Sequence, residues 1–242
     1  MSTPIALLFR AFAACLVVLV VGCSSPSEPQ AEQEVFTVDP QTGNTKIDAV
    51  IFRARLQASS SPSYNDAPEA RQSQEYTEAL AELTEVAALL TDTPAIRAYM
   101  LGLVDDEQSH ERAMEIALNA WGIPEAQQDS AYGVFTDAKI DSAWDALVGP
   151  DNAFMDATKA LRGMFLMRCF AVSELRKAYA SVTSDGARYG IGVLLKATTN
   201  HLMSTIIACE ANSIVLPESP DLSTEEVQGI RVRAQARDFE AP

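Results

Sequence analysis

From Ile96 onward, side chains recur in steps of three and four: Ile96, Tyr99, Leu103, Glu107, His110, Met114, Ala117 and Trp121. That spacing puts all eight on one face of a helix. Thr93 followed by Pro94 gives the helix an N-cap and a proline at its first position. Trp121-Gly122, with Pro124 just beyond, ends it. A carboxylate and an imidazole, one turn apart, therefore lie on the stripe that faces the core.

The same period predicts three more long helices. One runs from Pro68 to Leu90, with Tyr76, Leu80, Leu83, Ala87 and Leu90 along its stripe. A third runs from Asn152 to Ala180, capped by Asp151, with the stripe Phe154, Leu161, Phe165, Arg168, Val172, Leu175 and Tyr179. After a turn at Ser184-Asp185-Gly186, the fourth continues to about Asn212, its apolar face made of Leu194, Leu195, Leu202 and Ile206. His201 lies at the edge of that face, near Thr198 and Thr205. Ile47, Val50, Ile51 and Leu56 suggest a short helix before the first long one, and Ser59 to Pro68 reads as a loop. A last amphipathic helix follows Ser223, which makes a capping box with Glu226.

The pattern predicts an all-α protein of two helical hairpins, with a long stretch between the second and third helices. That stretch holds one short helix, with Ile140, Ala143, Trp144 and Leu147 on its face. One long crossover is the connectivity of a ferritin-like four-helix bundle. The crossover makes the second and third helices parallel, which puts Glu107 and Arg168 at similar depth, within roughly one turn of 5.4 Å. Pairing the last two helices about residue 183 brings His201 to the same layer. It also separates Cys169 from Cys209 by about 16 Å of helix, too far for a disulfide, so both are expected to be buried free thiols.

The chain has 242 residues and a formal net charge of −15, which argues against nucleic acid as a partner. The first 22 residues read as a leader. Ala11 to Val21 is an unbroken apolar run, too short for a permanent membrane span. It ends Val20-Val21-Gly22-Cys23, which resembles the bacterial lipoprotein signal, in which the cysteine is lipidated and becomes the mature N-terminus. Ser24 and Ser25 imply sorting to the outer membrane, periplasmic face, in a Gram-negative host. The Ser-, Pro-, Glu- and Gln-rich stretch from Ser24 to about Thr45 reads as a flexible tether. The expected organisation is a leader over 1–22, lipidated Cys23 with tether and short helix over 23–66, a bundle over 67–212, and a tail with a short helix over 213–242.

Three segments carry a further resemblance: Asp106-Glu107-Gln108-Ser109-His110, Gly133-Val134-Phe135-Thr136, and Leu194-Leu195 with Asn200-His201-Leu202. From Glu75 to Ala211 the chain resembles a bacterial and archaeal group of ferritin-like domains of unknown function. In ferritin-like carboxylate proteins the interior holds two metals between glutamates and Glu-x-x-His motifs. The resemblance therefore implies metal-ligand roles for Glu107, His110 and His201, with Glu78 (in Glu78-Ala79-Leu80-Ala81) as the first-helix carboxylate. The chain departs from that pattern. Met167-Arg168-Cys169 stands where adjacent glutamates are expected, and Thr198 stands three before His201. Glu78 also points away from its helix's apolar stripe, and Glu75 and Glu82 lie nearer its edge.

A guanidinium cannot bind a metal cation. Beside Glu107 it supplies the positive charge a buried carboxylate needs, so Arg168 is expected to take over the metal's electrostatic role. Two functions stay open. One is a non-catalytic envelope lipoprotein, held to the membrane by its N-terminal lipid, with a degenerate site and an unknown protein partner. The other is a metal-binding protein, an oxidase, store or sensor, with iron, manganese or zinc.

Overall fold

The computed structural model describes residues 34–59, 64–124, 133–147 and 156–241. The leader, Cys23, the start of the tether and the Asp151 cap lie outside the described residues. Residues Glu34–Pro242 make a compact unit by themselves.

The described chain holds a small sheet and seven α-helices: β1 (Phe36–Val38), β2 (Thr45–Ile47), α1 (Ala49–Ala58), α2 (Ala67–Leu90), α3 (Pro94–Trp121), α4 (Ala138–Leu147), α5 (Ala157–Ser181), α6 (Asp185–Ala211) and α7 (Thr224–Ala236). The described residues are thus mostly helical. The four long helices are α2, α3, α5 and α6. α2 packs on α3 and α5 on α6, and the pairs meet through α2 with α5 and α3 with α6. Their inward faces bury Tyr76, Leu80, Leu83, Met100, Leu103, Met114, Leu161, Met164, Leu175 and Leu194. α7 lies on α6 and covers a second apolar group that includes Phe165, Val172, Met203 and Ile206.

Local chemistry sets the helix ends. α3 spans Pro94–Trp121 as its periodicity predicts and stops on Gly122, whose φ of 67° is left-handed. Gly122 and Ile123 N–H groups return to the Asn119 and Leu118 carbonyls, satisfying the orphan acceptors of the last turn. The Ser223–Glu226 capping box of α7 is present in both directions. Two boundaries differ from expectation. α5 begins at Ala157, where the Asp156 side chain accepts from the Lys159 N–H. Ser184 is not part of a free turn: it caps α6 by accepting from Ala187 N–H, so Asp185 and Gly186 already belong to the helix. Tyr179 and Leu90, the last members of their stripes, are exposed, because each lies in the final turns of its helix.

The largest departure is at the N-terminal side. β1 and β2 pair antiparallel, with Phe36 opposite Ile47 and Val38 opposite Thr45. A flexible tether reaching Thr45 is therefore corrected: the segment from Phe36 is an ordered hairpin with Val35, Phe36, Thr45 and Ile47 buried. Ile47 belongs to a strand rather than a helix, and α1 starts only after Asp48, whose side chain accepts from Val50 and Ile51 N–H. Strands of three residues are too short to show a period-2 pattern. At the turn, Asp39 accepts from Gln41 N–H at 2.7 Å. Gly43, at φ 82°, lets the Phe239 ring lie where a Cβ would sit.

Cys169 and Cys209 are buried free thiols, as expected from helix geometry, and burial pushes each up to about 12. Among the described residues no helix is long and apolar enough to cross a membrane.

Candidate functional site

Glu107, His110, Arg168 and His201 meet in one buried layer between α3, α5 and α6, each about 1% exposed or less. The helical period does this. Glu107 and His110 share the inner stripe of α3, Arg168 sits mid-way along the inner stripe of α5, and His201 lies at matching depth on α6. Arg168 Nη2 donates to Glu107 Oε1 at 2.6 Å. His201 Nδ1 lies 2.9 Å from the same oxygen. His110 Nδ1 lies 3.2 Å from Glu107 Oε2 but out of hydrogen-bond alignment, so both of those buried atoms lack an aligned partner. The two imidazole rings stand 4.7 Å apart. The second arm of the guanidinium donates to the Thr205 hydroxyl, which in turn donates to the His201 carbonyl at 2.8 Å.

The hairpin completes the layer, and it does so through backbone. Thr45 N–H donates to His201 Nε2 at 2.9 Å, and His110 Nε2–H donates to the Thr45 carbonyl at 2.8 Å. Ile47 N–H donates to Ser109 Oγ at 3.0 Å, and the Ser204 hydroxyl donates to Asn44 Oδ1 at 2.8 Å. These bonds fix both tautomers. His201 Nε2 faces a donor and must carry a lone pair, so the proton of the neutral ring sits on Nδ1 and points at Glu107. His110 Nε2 faces a carbonyl and carries its proton there.

Electrostatics follow the same geometry. Burial opposes the charged form of Glu107, yet attraction to His201 and Arg168 and the hydrogen bond from His201 hold its carboxyl well below the usual range. Burial lowers His201 to about 4 against the pull of Glu107. His201 is therefore neutral at neutral pH, and the lasting charge partner of Glu107 is Arg168.

Glu107, His110 and His201 offer three ligand atoms within 4.8 Å of one another, a group that could hold a metal ion. Glu78 is not in that group. Its charged neighbours are Glu111, Glu82, Glu75 and Glu115; burial and their repulsion raise it to about 7. The other two α2 candidates anchor the crossover. Glu75 accepts from Thr136 Oγ1–H and, at 2.7 Å, from Asp137 N–H; Glu82 accepts from Gly133 N–H at 2.8 Å. Phe135 then packs against Trp144 of α4. The Gly133-Val134-Phe135-Thr136 segment thus docks on α2 glutamates.

Thr45 was invisible in the sequence because its contribution is a peptide unit. Ser109 and Asn200 stood inside quoted motifs with no role assigned. Asn200 accepts from Glu240 N–H at 2.7 Å and donates to the Glu240 carbonyl at 3.0 Å, holding the C-terminal tail.

A family model described as "Uncharacterized protein domain (DUF2202)" matches residues 86–235, from the last turn of α2 into α7. No curated protein matches the chain. Among solved structures, the crystal structure of hypothetical protein MJ0754 from Methanococcus jannaschii DSM 2661 is similar, with a TM-score of 0.60 and 16% identity. The similarity covers 69% of this chain and 92% of that one, and it concerns the fold alone.

Proposed function

The chain belongs to the uncharacterized domain family DUF2202, and from that premise we propose that it is an envelope lipoprotein carrying a ferritin-like bundle whose metal site has become an internal ion pair. Its role on this reading is binding or scaffolding of a protein partner rather than catalysis. The long crossover between α3 and α5, and the packing of the four long helices as two pairs around a polar layer held by three of them, support the ferritin-like reading. The leader ending Val20-Val21-Gly22-Cys23 supports lipidation at Cys23 and attachment to the outer membrane.

The observation that carries the ion-pair reading is the 2.6 Å contact of Arg168 with Glu107. The donor set also fits a metal poorly. One imidazole has its Nε2 lone pair taken by Thr45 N–H and its Nδ1 protonated toward Glu107. Glu107 Oε1 already accepts two donors. The lone pairs left are His110 Nδ1 and Glu107 Oε2, beside a fixed positive charge that would repel a cation.

Those two unpartnered atoms also favour a second reading, a metal-binding protein for iron, manganese or zinc through Glu107, His110 and His201. Elemental analysis of untagged protein separates the two. The ion-pair reading expects no stoichiometric metal at saturating supply. A full equivalent that disappears in Glu107→Ala would overturn it. The anchoring half has its own test: Cys23→Ser should abolish recovery in the membrane fraction. Persistence there with the leader cleaved would refute lipidation.

A further inference from the structure

A cleft of about 420 Å³ opens away from the buried layer, between α1, the end of α5 and the first half of α6. That volume is within the range of small-molecule sites, roughly 300–1,000 Å³. Its charge is opposite to that of the protein. The chain carries 33 acids against 18 bases, yet Arg55, Arg188 and Lys196 line this cleft with Asp185 as the one acid among them.

The α6 wall is a stripe at i, i+4 and i+8: Arg188, Gly192, Lys196. It puts a cation at each end, about 12 Å apart along the axis, with a bare stretch of helix between. Arg188 donates to the Val182 carbonyl at 3.1 Å and Lys196 to the Ala241 carbonyl at 3.0 Å. Those acceptors hold the side chains without cancelling their charge. Neither cation has an ion-pair partner among the described residues within 4.0 Å. The gap at Gly192 has a use. A Cβ there would meet Tyr179 at 3.0 Å, so the missing side chain lets the ring approach the helix as one wall. Tyr189 forms another surface, stacked on Phe52 at 5.9 Å. Val35 and Val193 supply the apolar floor.

Cations at both ends, aromatic walls and an apolar floor define the ligand by chemistry. We infer that this cleft binds a phosphate ester with an apolar body, its phosphate held by Arg188 or Lys196 and its body lying across Gly192 between the tyrosines. A soluble phosphate monoester and a phospholipid headgroup share that chemistry. The inference does not depend on the metal site or on lipidation.

The test uses the chain from residue 24 onward, which retains the compact unit Glu34–Pro242 and has neither leader nor lipid. It is titrated calorimetrically with hexyl phosphate and with inorganic phosphate, and floated with phosphatidylcholine vesicles with or without phosphatidylglycerol. Hexyl phosphate is expected to saturate and to bind more tightly than inorganic phosphate. Arg188→Gln with Lys196→Gln should weaken it at least about tenfold, the loss of charge-assisted hydrogen bonds. Arg53→Gln with Arg112→Gln removes as much charge elsewhere and should leave binding unchanged. Gly192→Val, which fills the cleft without altering charge, should also weaken binding, and it serves if the double variant fails to fold. Flotation only with phosphatidylglycerol, lost in the same variants, identifies a headgroup as the source. Hexyl phosphate binding without flotation identifies a soluble ester. Binding of neither probe, or binding that survives both the double variant and Gly192→Val, overturns the inference.

Discussion

At Glu107 one carboxylate meets two imidazoles and a guanidinium in a space closed to water. Such a group stays ionised only if its partners outweigh the loss of hydration. Arg168 is the partner whose charge does not depend on pH. Arg168→Met keeps the volume and removes the charge, leaving the carboxylate uncompensated. The expected loss is ~3–5 kcal/mol of stability, the range for breaking one side of a buried pair. Chemical denaturation measures it, and an unchanged midpoint would show that Glu107 does not rely on Arg168. These side chains were legible in the sequence, because steps of three and four placed polar residues on stripes that are otherwise apolar. The peptide unit of Thr45, which sets both tautomers, was not. A backbone N–H and carbonyl look the same at every position.

The elements around the layer divide the work between helix faces and short docked segments. Helix boundaries could be read where end signals are explicit, as at Gly122, Ser223 and Pro94, which opens α3 although the Thr93 side chain makes no capping bond. The hairpin could not, since its strands gain their stability from α3 and α6 rather than from their own pattern. Gly43 is the point at which that hairpin is most exposed to damage. Its φ of 82° disfavours any side chain, and a Cβ would fall 2.3 Å from the Phe239 ring. Gly43→Ala is expected to destabilise by roughly 1–2 kcal/mol from the backbone alone. Adding Phe239→Ala should recover the steric part and leave the backbone part. Thermal unfolding of the single and double variants checks this; equal stability of Gly43→Ala and the parent chain would contradict the turn geometry.

Over the whole molecule, the polar layer and the half-buried acids outside it give stability opposite slopes with pH. His201 is lowered to about 4, so between its unfolded value near 6.5 and 4 the unfolded chain binds the proton and the folded one does not. Stability from that site is present above about 6.5 and falls as the solution is acidified. Glu107, held below its usual range, adds a further loss below about 4.5. Glu78, raised to about 7, and Asp106, raised to about 6, act the other way: the folded chain holds their protons longer, so each costs stability as pH rises through its folded value. Glu78→Gln is therefore expected to raise the melting temperature at pH 8 and not at pH 4. The gain is about 1 kcal/mol, discounted because the group is only half-buried. Equal effects at the two pH values would show that Glu78 titrates normally.

The contact between Gly43 and the Phe239 ring joins positions 196 residues apart. Asn200, on the helix that also receives Thr45, grips Glu240. Synthesis runs from the N-terminal side, so the hairpin is made long before its cover. Until residue 239 is made, Gly43 lacks the ring that packs on it. Closure of the turn thus waits on a segment far downstream, and a product that stops after α6 would lack the ring that seals it.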